Sequence, residues 1–216
     1  MGKPGPSQPA AMIDGSDEFV DTTFRQLVLD RQALTSKDFD ACTFESCSFQ
    51  EAEVVGCAFR DVRFVGCSLA AVKLTNSRIA GVTFTRSKVI GVDWTAAQWS
   101  SVGTPIVFEE ECTLDYSVFF GLKLKRSVFR DCSAREVDFT EADLSGSDFS
   151  GTDLSGARFH HTKLRTAHLE GAVGYVIDPT TNDLAGARVS LPEAGSLIRA
   201  LGITIVDAPR GPEGST

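Results

Sequence analysis

The sequence predicts a stacked solenoid, on three observations. A large apolar residue returns every fifth position from Phe19 to Leu169 in one phase, and only Thr104, Glu109 and the small Ala134 fall out of the series. Two positions before each of these sits a mostly small residue, as in Cys42, Cys47, Ala52, Cys57, Ser77, Ser87, Ala142 and Thr152. The other three positions are rich in Asp, Glu, Arg, Lys, Ser and Thr. A period of five is neither the 2 of a strand nor the 3.6 of a helix, so no single amphipathic element explains it. One five-residue unit cannot bury its bulky side chain alone, whereas coils stacked on one another bury a continuous column.

Stretches such as Ala142-Asp143-Leu144-Ser145-Gly146 and Thr152-Asp153-Leu154-Ser155-Gly156 show the unit in its clearest form. They resemble the pentapeptide-repeat family, whose unit is small–polar–Leu/Phe–x–x, and the resemblance covers roughly residues 17–173. It implies an all-β solenoid: a right-handed quadrilateral β-helix with about twenty residues per coil. Coils about 4.8 Å apart would then make a rod of about 37 Å. Thirteen of the fifteen Phe fall in the central register, which assigns them to the core. Each buried apolar side chain is worth about 1.5–3 kcal/mol.

Taken in order, residues 1–16 form a Pro/Gly/Ser/Ala-rich arm that reads as disordered, without the apolar stretch of a secretory signal. The repeats occupy residues 17–173 and are interrupted at about 100–113. There, either Phe108 shifts inward through a bulge or the stretch leaves the wall as a loop, because Glu109 cannot enter the core uncompensated. Trp94 and Trp99, oversized for a narrow column, predict a distorted coil just before the break. Gly146, Gly151 and Gly156 fall at corners, where tight turns need them. Residues 174–207 read as a cap or dimerisation segment. It comprises a short helix with Pro192 in its first turn and Gly202 at its end, then a short strand at 203–206. Leu191, Leu197, Ile198, Leu201, Ile203 and Ile205 would cover the open end, within one chain or across a two-fold homodimer. Residues 208–216 read as a disordered tail.

Composition argues against several classes. No run of eighteen apolar residues exists, so no transmembrane helix is expected. The six cysteines all take the small inward position and none forms a CxxC, which favours buried thiols in a reducing cytoplasm over disulfides or zinc. His160, His161 and His168 lie outward with no ligand spacing, and no catalytic set or phosphate-cradling loop appears. The sequence therefore predicts neither an enzyme, nor a metal site, nor a cofactor. A net charge of −8 disfavours nucleic acid and membranes and suits a basic protein surface. Candidate partner-binding residues are Gly103, Thr104, Pro105, Ile106, Phe108, Glu109, Glu110 and Glu111 at the break. The outward acids Asp138, Asp143, Asp148 and Asp153 join them, though they point to successive sides.

The ending, from Asp178-Pro179 through Ser190-Leu191-Pro192-Glu193-Ala194 to Leu201-Gly202-Ile203, is similar to that of Qnr-type and related self-immunity pentapeptide proteins. That resemblance implies a dimeric, DNA-mimicking acidic rod seated on the basic DNA-binding saddle of DNA gyrase, with topoisomerase IV as a second partner. It would protect the enzyme from a poison, as antibiotic resistance or self-immunity, and a projecting loop would help release the trapped cleavage complex. Proteobacterial Qnr proteins carry two loops. Here units run unbroken from Phe19 to Trp99, so the single interruption favours self-immunity. The alternative is a cytoplasmic interaction scaffold with an unrelated protein partner.

Overall fold

A computed structural model describes residues 13, 15–99, 106–191 and 193–206. Short parallel strands and bridges stack coil upon coil on four sides, with partners twenty residues apart over most of the chain. The first side carries Phe19, Phe39, Phe59, Ile79 and Trp99, then Leu124, Leu144, Leu164 and Leu184. The second carries Phe24, Phe44, Phe64, Phe84, Phe108, Phe129, Phe149, Leu169 and Val189. The third runs from Leu29 to Leu154, and the fourth from Leu34 to Phe159. The result is an all-β parallel solenoid of about eight turns with one short C-terminal helix, Ala194–Ala200. Eight steps of about 4.8 Å make a rod of about 38 Å.

The five-residue period works because a unit contributes a short strand, as in Asp38–Asp40 and Thr43–Glu45, or a single bridge residue, with the unit's bulky side chain pointing in before a corner follows. On the second side the rings from Phe24 to Phe149 form one continuous stack, with successive centroids 4.8–5.5 Å apart. Corners take the left-handed region. Gly146 and Gly156 meet that demand at φ +71°, whereas Ala41 and Ala71 adopt it at a steric cost of about 1–2 kcal/mol each.

The small inward position has a second purpose that its size alone does not reveal. A hydroxyl or thiol there donates to a carbonyl in the coil below, in some cases one that also accepts a backbone N–H, as Leu124 O does from Ser127 and Phe139 O from Ala142. Ser77 Oγ donates to Val54 O at 3.1 Å, Ser147 Oγ to Leu124 O at 3.1 Å, and Thr162 Oγ1 to Phe139 O at 2.9 Å. Cys57 and Cys67 do the same through sulfur. All six cysteines are free and buried, and the Cys47 N–H donates to Cys67 Sγ at 3.4 Å one coil on. Burial pushes the Cys42 and Cys57 thiols up from their ordinary value.

The wall continues further than the repeat pattern suggests. Asn182 and Leu184 resume the unit, and Arg188–Val189 pairs with His168–Leu169, so regular pairing extends past residue 173. Between them Tyr175 and Ile177 fill the core. The strand expected at 203–206 does not form: these residues are exposed and lack β-pairing.

Candidate partner-binding surface

The break resolves into two small departures. The described wall reaches Gln98–Trp99 on the first side and is present again at Val107–Glu109 on the second, paired in register with Thr83–Thr85. Phe108 stacks between Phe84 and Phe129, and Ile106 takes the small position two residues before it. Both are buried, at 0% and 1% exposure, which corrects their assignment to a partner-binding loop. Shifting inward by one residue places Phe108 where Glu109 would otherwise meet the core, so the apolar ring wins the site. The lost residue is recovered at the next corner, where Glu110 and Glu111 are consecutively left-handed at φ +53° and +66°. Pairing of Lys88 with Thr113 and of Asp93 with Val118 shows the net excess of five residues. Gly103, Thr104 and Pro105 lie outside the described residues.

The tryptophans do distort the coil before it. Trp94 opens a short 3-10 turn, Trp94–Ala96, and stacks on Phe119 at 5.6 Å. Trp99 lies half-buried above it, its indole N–H donating to Trp94 O at 2.9 Å.

At the break, Glu109 faces outward and half-buried, Glu110 pairs with Arg86, and Glu111 is exposed. Asp138, Asp143, Asp148 and Asp153 lie on four successive sides. Each accepts a hydrogen bond from the N–H two residues on, and each meets a cation: Arg158 at 2.8 Å, Lys125 at 3.4 Å, Arg130 at 2.6 Å and Arg135 at 2.6 Å, respectively. Burial alone would raise these carboxyls. The turn hydrogen bonds and the adjacent cations outweigh it and hold them below the usual carboxylate range. Their geometry is that of corner braces.

Cross-coil ion pairs are the feature that sequence reading missed. Arg25–Glu45, Arg31–Glu51 and Lys73–Glu53 join residues twenty apart, a spacing visible once the chain is written in coils. Paired and unpaired charges taken together are unevenly distributed around the rod. Within residues 106–186 the first side and its following corner carry Lys123, Lys125, Arg126, Lys163 and Arg165 against Asp143 and Asp183. The other sides carry three Arg against twelve carboxylates, Glu111, Asp131, Glu136 and Glu141 among them.

At the C-terminal end, Leu197 packs partly against the core. Leu191, Ile198, Leu201, Ile203 and Ile205 are exposed, as are Val173, Val176 and Val206, so apolar surface gathers there. Among the described residues no group of His, Cys, Asp or Glu is arranged to hold a metal ion, and no helix is long and apolar enough to cross a membrane.

These features, repeated on four sides around an aromatic column, define a pentapeptide-repeat solenoid. The pentapeptide repeat region pattern matches residues 37–119, and the eight-copy pentapeptide repeats pattern matches 112–151 and 135–171. The chain belongs to the pentapeptide-repeat family. No curated protein sequence matches it significantly. Among solved structures it is similar to full-length QnrB1, a plasmid-mediated fluoroquinolone resistance protein, at 22% identity over 86% of this chain and 100% of that one, with a TM-score of 0.46. It is also similar to HetL of the cyanobacterium Nostoc, a protein involved in heterocyst differentiation regulation. There identity is 18% over 79% of this chain and 81% of that one, with a TM-score of 0.37. A third likeness is to a pentapeptide repeat protein of the Arabidopsis thaliana thylakoid lumen, at 14% identity over 71% and 74% of the two chains, with a TM-score of 0.30.

Proposed function

We propose that this protein is a non-enzymatic DNA mimic that binds DNA gyrase, and topoisomerase IV as a second target, and protects it from a topoisomerase poison. The observation that carries the reading is the acidic surface on three sides of a narrow rod, over residues 106–186. A basic saddle built to hold duplex DNA attracts such a surface, and the attraction weakens as salt rises. The apolar C-terminal end suits pairing of two rods through residues such as Leu191, Leu201 and Ile203. End to end, two rods of about 38 Å span about 76 Å, or roughly 22 base pairs at about 3.4 Å each. The C-terminal sequence resemblance to Qnr-type and self-immunity proteins supports the same assignment, and the single interruption supports self-immunity within it. The solved Qnr structures lend the fold alone.

The test is gyrase supercoiling in the presence of a panel of poisons, quinolones included. Purified protein restores supercoiling against at least one poison, and inhibits supercoiling when added in excess. No effect on either enzyme, with or without poisons, rejects the reading and leaves a scaffold with another partner.

A further inference from the structure

The net charge of the chain conceals a basic edge. Where the first side turns into the second, the corner column runs Arg126, Gly146, Thr166, one residue per coil. Gly146 leaves a notch between its neighbours: a Cβ placed there would lie 3.3 Å from the Arg126 side chain and 3.7 Å from Thr166 Oγ1. Arg126 and Thr166 are thus about 9.6 Å apart along the rod, with glycine as the floor between them. Lys125 and His168 complete the walls of this shallow depression.

Cations predominate in and beside it. Arg126 has no carboxylate within ion-pair distance among the described residues, and neither do Lys123 and Lys163 on the same side. Lys125 meets Asp143 at 3.4 Å, a looser contact than the 2.6 Å pairs made by Arg130 and Arg135. The Asp143 carboxylate is further occupied by the Ser145 hydroxyl, and Glu170 stands 3.8 Å from His168. A guanidinium, an ammonium, an imidazole and a hydroxyl therefore surround one open notch. Such a set matches an oxyanion with several terminal oxygens, because a guanidinium offers paired donors and each oxygen accepts more than one hydrogen bond.

We propose that this notch binds a phosphate group, supplied by a free phosphate or by the backbone of a nucleic acid. The acidic sides repel a long polyanion, but their field is screened over about 10 Å at about 0.1 M salt, and the notch faces away from most of them. This inference is independent of the topoisomerase reading.

The test uses the full-length, isotope-labelled protein in phosphate-free buffer, followed by amide NMR. Inorganic phosphate is titrated in one arm and a short DNA duplex in the other, each against sodium chloride of equal ionic strength. Shifts centred on Arg126, Gly146 and Thr166 that saturate are expected, and the double variant Arg126→Gln, Lys125→Gln should weaken binding at least about tenfold. A spectrum otherwise unchanged shows that the variant folds. Saturation by phosphate alone assigns a free phosphate ligand; tighter saturation by the duplex assigns a nucleic-acid backbone. If neither probe shifts these amides beyond the chloride control, or if the double variant binds equally well, the proposal is overturned.

Discussion

Replacing Phe108 by alanine removes a fully buried ring stacked at 4.9 Å on Phe84 and 5.5 Å on Phe129, with Trp94 edge-on at 5.8 Å. Truncating a buried phenylalanine costs about 3–5 kcal/mol, including the cavity left behind. The coils above and below fix that cavity in place, because their backbones are paired to the same strand. For a chain of this size each kcal/mol shifts the melting midpoint by about 2–4 °C, so the expected fall is about 6–20 °C. Circular dichroism during urea and thermal unfolding reads it directly. Phe120→Ala is the control, since that ring faces solvent, and a change within about 0.5 kcal/mol is expected there. If Phe108→Ala also stayed within about 0.5 kcal/mol of the parent, residues 106–109 would be outside the wall and the one-residue shift would be refuted.

Three further outcomes follow from the interior and the corner braces. Thr162→Val removes the 2.9 Å hydrogen bond to the Phe139 carbonyl, which keeps the Ala142 N–H at 3.1 Å, and should cost about 0.5–1.5 kcal/mol in urea unfolding; an unchanged midpoint would show that this bond contributes nothing. Asp143, Asp148 and Asp153 are held below the ordinary carboxylate range in the folded state. Their stabilisation is thus present above the unfolded value of about 3.9 and is lost as pH falls through their folded values. Melting temperature should therefore be flat just above about pH 5 and decline below about pH 4, and a decline starting near neutrality would contradict this origin. Finally, thiol reagents should leave all six buried cysteines unmodified in the native protein and modify them after unfolding; rapid native labelling of Cys42 or Cys57 would contradict their burial.

The period of five made the central column legible from Phe19 to Leu169, because one burial pattern repeated in every unit. It also identified the cysteines as inward residues, although their hydrogen bonds to carbonyls one coil below depend on stacking. The shift at the break was harder to read. Ile106 and Phe108 keep the unit's spacing of two, but they sit one residue ahead of the beat, and only the fit of Phe108 between Phe84 and Phe129 selects that phase. Past Leu169 the beat is masked by Tyr175 and Ile177, so the last wall segment at Leu184 and Val189 was not apparent. The strand expected at 203–206 had the right composition but makes no β-pairing. Charge was legible as a total and illegible as a pattern. Arg126, Gly146 and Thr166 become neighbours only when the chain is wound at twenty residues per coil.

The most direct test of the proposed role is binding of the purified protein to DNA gyrase, measured with and without competing duplex DNA over a range of salt. The account predicts binding that weakens as salt rises, is displaced by DNA, and is reduced when Glu111, Asp131, Glu136 and Glu141 are together changed to their amides. Absence of binding, or binding indifferent to salt, DNA and these amides, would contradict it.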